Sequence, residues 1–126
     1  MNYTISQIAE RFNVEPHTLR FYEKEGIITP ERSQNGIRVF TNENISQLEL
    51  VMCLKSTGMP LRDIKRYFDM VSSGDDMLEE RLEIFIEQKE HVLNEIEVLK
   101  KYLKKIEHKI SWYTDNISKK RVNKSS

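Results

Sequence analysis

Few residues in this chain are arranged for chemistry, and those few point to binding rather than bond-making. From Pro16 to Gly26 the sequence reads Pro-His-Thr-Leu-Arg-Phe-Tyr-Glu-Lys-Glu-Gly. On a helix, residues three or four apart share a face. Leu19 and Tyr22 then turn inward, while His17, Thr18, Arg20 and Phe21 are presented mainly outward. An exposed Arg among aromatic and hydroxyl side chains suits the gripping of phosphates and base edges. The bland alternative is a surface helix that carries one Arg by chance. The second candidate is Cys53, the single cysteine. As a thiolate it could add an electrophile or be oxidised; as a small apolar side chain it could equally belong to a core. His17, His91 and His108 have no ligand spacing between them, so no metal site is expected. No acid/base pair, nucleophile–base pair or phosphate loop appears, which argues against an enzyme and against a bound cofactor.

The elements that must position these residues are legible around them. Pro16 suits the first position of a helix and Gly26 the position just past its end. Ahead of it, Thr4-Ile5-Ser6-Gln7 has the form of a capping box, followed by Ile5, Ile8, Ala9 and Phe12 at helical spacing. Asn13 tolerates a left-handed turn, and the next helix begins two residues later. Two short helices on so tight a turn form a helix-turn-helix, whose second helix enters the major groove. Thr29-Pro30 then sets an extended segment, and Asn35-Gly36 signals a hairpin running into Ile37-Arg38-Val39-Phe40. Such a hairpin beside a helix-turn-helix is a wing, with Arg38 in reach of a phosphate or the minor groove; a plain surface hairpin is the alternative. Thr41 caps a helix through Ile45, Leu48, Val51, Met52 and Leu54 that stops near Gly58. Pro60 opens another, with Leu61, Ile64, Phe68 and Val71 on one stripe.

The runs Thr18-Leu19-Arg20-Phe21-Tyr22-Glu23, Gly26-Ile27-Ile28 and Gly36-Ile37-Arg38-Val39-Phe40 resemble the MerR family of transcription regulators, whose pattern reads roughly T-L-R-Y-Y-E, G-L and G-Y-R-x-Y. The resemblance covers residues 2 to about 74 in register. Phe21, Ile37 and Phe40 stand where Tyr is usual, and Glu15 where a better cap is common, so contacts made through those hydroxyls are in question. The resemblance implies a mostly α fold in which a winged helix-turn-helix precedes a long coiled-coil helix. It implies DNA contacts from His17, Thr18, Arg20, Phe21, Tyr22 and Arg38. A second wing, formed by the later helix pair, would bring Arg62 and Lys65 to the backbone; as surface charges they could equally be solvated. It further implies a homodimer on a pseudo-palindromic promoter operator, distorting the DNA for RNA polymerase under the control of an effector. The chain also resembles the short, single-Cys members that respond to aldehydes or nitrosative stress, whose sensing thiol falls at Cys53. Lys55 and Arg62 lie near it in sequence. A sensing and a structural Cys53 both stay open.

Ser72-Ser73-Gly74-Asp75 marks a boundary, giving a DNA-binding domain over 1–74. Beyond it Leu78, Leu82, Phe85, Lys89, Val92, Ile96, Leu99, Leu103, Ile106, Ile110, Tyr113 and Ile117 alternate by four and three. Only Lys89 breaks the apolar seam, so 75–117 is read as a coiled-coil dimerisation helix, extending about 60 Å at about 1.5 Å per residue. Residues 118–126 are Lys/Ser-rich and read as a basic, disordered tail. Residues 75–97 carry nine acids against Arg81 and Lys89, and 98–126 carry nine bases against Glu107 and Asp115. Two parallel copies would stack like on like, whereas antiparallel copies set acid against base. The helix dipole is the competing, single-chain explanation. The segment after the coil is too short for the effector domain common in the family, so a large drug-binding module is not expected.

Charge also raises an objection. Residues 1–74 hold nine Lys and Arg against nine Asp and Glu, where a DNA-binding domain commonly shows a basic excess. Distribution answers it if Arg20, Arg32, Arg38, Lys55, Arg62 and Lys65 line one face. No apolar run exceeds Leu50 to Leu54, so no membrane span is expected. The absence of a leader-like N-terminus, with the single Cys, gives the expectation of a reducing cytoplasm. A function of another class also fits the pattern: a coiled-coil adaptor whose N-terminal helices bind protein rather than DNA.

Overall fold

The computed structural model describes residues 1–125. In order it contains α1 (Ile5–Phe12), α2 (Pro16–Lys24), β1 (Glu31–Arg32), β2 (Arg38–Val39), α3 (Asn42–Ser56), α4 (Leu61–Ser72), a 3₁₀ turn over Gly74–Met77, and α5 (Leu78–Ser125). This is the mostly α fold with a two-stranded wing and a long final helix that the sequence leads one to expect. Two compact units divide it, Met1–Gln88 and the chain from Lys89 onward.

The helix-turn-helix forms through local chemistry. Thr4 accepts the Gln7 backbone N–H at 3.1 Å, and the Gln7 side chain accepts the Thr4 N–H at 2.9 Å, a closed capping box that satisfies two of the free donors of α1. Asn13 ends that helix in the left-handed region at φ 53°, where a short polar side chain is tolerated. Val14 then donates to Ala9 O at 3.0 Å, and α2 begins at Pro16 with no side-chain cap from Glu15. Gly26 at φ 78° lets Ile27 donate back to Tyr22 O at 2.9 Å, which drives Ile27 and Ile28 into the core.

The wing is a hairpin with the register Glu31↔Val39 and Arg32↔Arg38. Gly36 donates to Ser33 O at 2.9 Å and Ser33 to Ile37 O at 2.8 Å. Gly36 alone of this turn is left-handed, at φ 77°. The loop is therefore a four-residue turn closed by a left-handed Gly rather than a two-residue Asn-Gly loop, which would need positive φ at both central residues. Past β2, Phe40 exchanges two backbone bonds with Tyr3, each of 2.8 Å, so the start of the chain is stitched to the exit of the wing. The Phe40 ring is fully buried with Ile8, Leu19, Leu48, Val51 and Ile64. Its missing hydroxyl leaves no polar group to satisfy in that core.

Asn44 is the buried polar residue of this core. Its Oδ1 accepts the Thr41 N–H at 2.9 Å, capping α3, and its Nδ2 donates to Thr29 O at 3.3 Å. One amide thereby fixes both the start of α3 and the segment that enters the wing.

The first unit does not end at Gly74. The chain passes through the 3₁₀ turn directly into α5, and the first turns of α5 pack on the domain. Ile84 is 6 % exposed. Phe85 stands edge-on to Tyr67 with ring centroids 5.1 Å apart, and Tyr67 meets Phe68 at the same distance. Gln88 Nε2 donates to Thr57 O at 3.1 Å and to Thr57 Oγ1 at 2.7 Å. The compact unit thus reaches Gln88, beyond the expected boundary at 74: the heptad pattern has no place for Ile84, and it assigns Phe85 wholly to a partner. At the other end α5 continues to Ser125, past the point where composition suggested a disordered tail. Lys119, Lys120, Arg121 and Lys124 are good helix formers that also suit the negative end of the helix dipole. Ser126 lies outside the described residues. Among the described residues, no helix is long and apolar enough to cross a membrane.

A fragment ending after Gln88 should be measurably more stable than one ending after Gly74. Losing the buried Ile84 alone should cost about 2–5 kcal/mol, read as a lower midpoint in thermal or urea unfolding.

Candidate nucleic-acid interface

The outer face of α2 carries the expected side chains. His17 and Arg20 are exposed, Thr18 is half-buried, and Phe21 is 42 % exposed. Tyr22 is only 3 % exposed. Its ring belongs to the core, as the i, i+3 relation to Leu19 leads one to expect. Thr18 and Phe21 border a groove of about 340 Å³ that Val51 and Lys55 of α3 and Leu61 and Ile64 of α4 complete. Lys55 is the one charged residue in that lining, set against the side of α2. Two helices distant in sequence thus frame one edge of α2.

The wing is tied to α2 by a carboxylate. Glu23 Oε1 accepts the Arg38 Nε–H at 2.6 Å, and Oε2 accepts from Arg32 Nη2 at 3.3 Å. Arg32 Nη1 also donates to Gly36 O at 3.1 Å, bracing the turn itself. The Glu23 and Arg38 side chains are 22 % and 26 % exposed. The pair is partly shielded and charge-assisted, the setting in which such bonds are short and strong. Arg38 therefore does not project freely from the wing. It is held at a fixed place, one face of its guanidinium committed to α2. Glu23 and Arg32 are the residues here that sequence reasoning left without a role. Their signal was available only as a Glu at the end of a helix with two Arg across a hairpin, a pairing that sequence distance hides.

Arg62, near the start of α4, is exposed, and Lys65 is half-buried, 3.8 Å from Asp69. Such an exposed i, i+4 pair constrains Lys65 only weakly. Cys53 lies on the exposed face of α3, away from the buried row Leu48, Val51 and Leu54, so it is not a core residue. Its carbonyl accepts the Thr57 hydroxyl at 3.1 Å, the same hydroxyl to which Gln88 donates. Among the described residues no group of His, Cys, Asp and Glu could hold a metal ion.

The seam residues divide into two sets. Phe85 packs within its own chain, against Tyr67. Leu82, Ile96, Leu99, Leu103, Ile106 and Ile110 are exposed and Val92 half-exposed, with Leu99 at 63 %. A contiguous apolar row of this length in water is characteristic of an interaction surface.

The sequence profile described as "MerR HTH family regulatory protein" matches residues 3–71, over half of the chain. The chain belongs to the MerR family. An uncharacterised HTH-type transcriptional regulator of Haemophilus influenzae is 43 % identical over 114 residues, covering 90 % of this chain and 84 % of that protein. The HTH-type transcriptional regulator AdhR of Bacillus subtilis is 30 % identical, covering 71 % of this chain and 64 % of AdhR. Among solved structures, HiNmlR superposes with a TM-score of 0.85 at 42 % identity, covering 91 % of this chain and 92 % of its own; it is described as a MerR family regulator lacking the sensor domain, bound to promoter DNA. A MerR family regulator from Bacillus thuringiensis follows at 38 % identity and TM-score 0.78, with coverage of 88 % and 98 %. The protein is thus a MerR-type transcriptional regulator, and its relatives are regulators rather than enzymes. In this MerR chain the motif Glu has a visible task, since Glu23 closes the clamp on the wing.

Glu23→Gln should loosen the wing while leaving the core folded. Amide hydrogen exchange from Ser33 to Phe40 is expected to speed up several-fold, with global stability lowered by no more than about 1–2 kcal/mol. Unchanged exchange in that segment would show that the hairpin is held without the clamp.

Proposed function

We propose that the chain binds a pseudo-palindromic promoter operator as a homodimer, with α2 in the major groove and the wing on the flanking backbone. The observation that carries this reading is the Glu23 clamp: an exposed recognition face and an Arg-bearing wing are fixed to one another as a single rigid surface. His17, Thr18, Arg20 and Phe21 would meet base edges and phosphates, Arg38 the backbone or minor groove, and Arg62 and Lys65 the backbone beside α4. Pre-positioned cations bind phosphate without first losing side-chain freedom. The overall neutral charge of the domain is compatible with this, because Glu23 offsets arginines that it also orients. Support from a relative is the promoter DNA bound by HiNmlR. The site of action is the cytoplasm, and the response is passed to RNA polymerase through the distorted promoter.

Dimerisation would use the exposed seam of α5, two copies running antiparallel so that each acidic half faces a basic half. The switch would be Cys53. Its exposure gives reagents access. Addition of an electrophile or nitrosation at Sγ would add bulk on α3, one turn from the Thr57–Gln88 bonds that join α3 to α5.

Arg20→Ala and Arg38→Ala should each weaken operator binding in a fluorescence or gel-shift titration while circular dichroism stays unchanged. The expected loss is about 1–3 kcal/mol for a base contact, or a salt slope smaller by about one for a phosphate contact. Wild-type affinity in both would remove these residues from the interface.

Cys53→Ser should bind the operator normally yet lose the transcriptional response to aldehyde or nitrosating reagents. A retained response, with alkylation of the native thiol no faster than that of a buried control, would assign the switch elsewhere.

A further inference from the structure

Beyond the direction of the coil, its register is encoded in two independent features of the chain. The apolar seam runs from Leu78 to Ile117, and its midpoint falls between Glu97 and Val98. The change from the acidic to the basic half falls at the same place, after Glu97. We infer that in the homodimer the two-fold axis crosses α5 between Glu97 and Val98, so that Ile110, Tyr113 and Ile117 of one copy cover Phe85, Leu82 and Leu78 of the other. This rests on the homodimer reading and adds the alignment that reading leaves open.

In this alignment every layer pairs the two kinds of seam position: Ile96 with Leu99, Val92 with Leu103, Lys89 with Ile106, and so outward to Leu78 with Ile117. That a-to-d layering is what an antiparallel pair of heptad helices requires for knobs to enter holes. Lys89 meets only Ile106, where its aliphatic stem can lie along the seam while the ammonium reaches water. The receiving surface is present on the isolated chain as an open groove of about 500 Å³ formed by Ile106, Ile110, Tyr113 and Ile117, with Lys105 and Lys109 on its rim and no acidic residue in its lining. The segment seated on it offers Leu78, Leu82 and Phe85 as its seam residues, while Glu83 and Glu87 turn toward Arg66 and Met70 of their own chain. The consequence reaches the DNA-binding unit. Phe85, already braced on Tyr67, would receive its remaining cover from the second copy, and so would Leu82, which is 60 % exposed in the single chain. About 25 residues of helix would then lie between the two copies of Phe85, a separation of about 37 Å at about 1.5 Å per residue.

Disulfide trapping in a full-length Cys53→Ala background tests the register. Val92→Cys with Leu103→Cys should give mostly crosslinked dimer on mild oxidation, at least ten-fold more than Lys89→Cys with Leu99→Cys or Val92→Cys with Ile110→Cys, which report alignments shifted by one heptad either way. Leu82→Cys with Tyr113→Cys is the second readout, since both side chains are exposed in the single chain and their replacement spares the core. Dominant crosslinking in either shifted pair would overturn the register and leave the antiparallel dimer intact. Efficient crosslinking by Leu82→Cys alone would show a parallel coil and overturn it also. Sedimentation of the wild type as a monomer at micromolar concentration would instead remove the homodimer reading on which the inference stands.

Discussion

The structure depends on one carboxylate placed between two guanidinium groups. Glu23 ends the exposed helix, and Arg32 and Arg38 sit on the two strands of a hairpin with only two residues in each strand. So short a hairpin is marginal alone in water, and its flanks are fixed only where Phe40 bonds to Tyr3 and where Asn44 holds Thr29. The Glu23 bridge supplies the tie to α2. It joins α2 to the wing and sets the position of Arg38 through a bond of 2.6 Å. Glu23 orients both guanidinium groups while offsetting part of their charge.

Behind that surface, polar groups join the elements at their ends while apolar groups fill the centre. The Asn44 amide and the Thr57 hydroxyl each serve three partners, and among the described residues no buried side-chain nitrogen or oxygen lacks a bond. The Thr57–Gln88 contact and the Phe85–Tyr67 stack make the first turns of α5 part of the DNA-binding unit. A change at the exposed Cys53 face of α3 therefore lies one helical turn from the bonds that hold α5. Beyond Gln88, Ile96, Leu99, Leu103, Ile106 and Ile110 are exposed in the single chain.

The elements of the helix-turn-helix were legible because each is set by a local rule. Thr4 and Gln7 closed their capping box, Asn13 took the left-handed turn, and Pro16 opened α2. The core rows of α1, α3 and α4 followed from helical spacing alone. Legibility ended where one residue had two possible neighbours. Tyr22 was given an inward period by spacing and a DNA contact by resemblance, and its ring lies in the core. Phe85 fitted a heptad and was partly taken by Tyr67, while Ile84 lay off every pattern yet was buried. Cys53 fitted core and surface equally until α3 was packed and its face turned to solvent.

The sequence by itself determined the order of elements, the family, and the seam with its reversal of charge, because these are properties of residues near one another along the chain. Tertiary structure decided which face of α2 is free, where the first unit ends, and which acid holds the wing. Those outcomes depend on residues brought together across the chain: Glu23 with Arg38, Thr57 with Gln88, Tyr67 with Phe85. Spacing along a sequence fixes a direction around a helix axis. It does not fix what stands opposite, and it is the group opposite that makes a side chain core, clamp or contact.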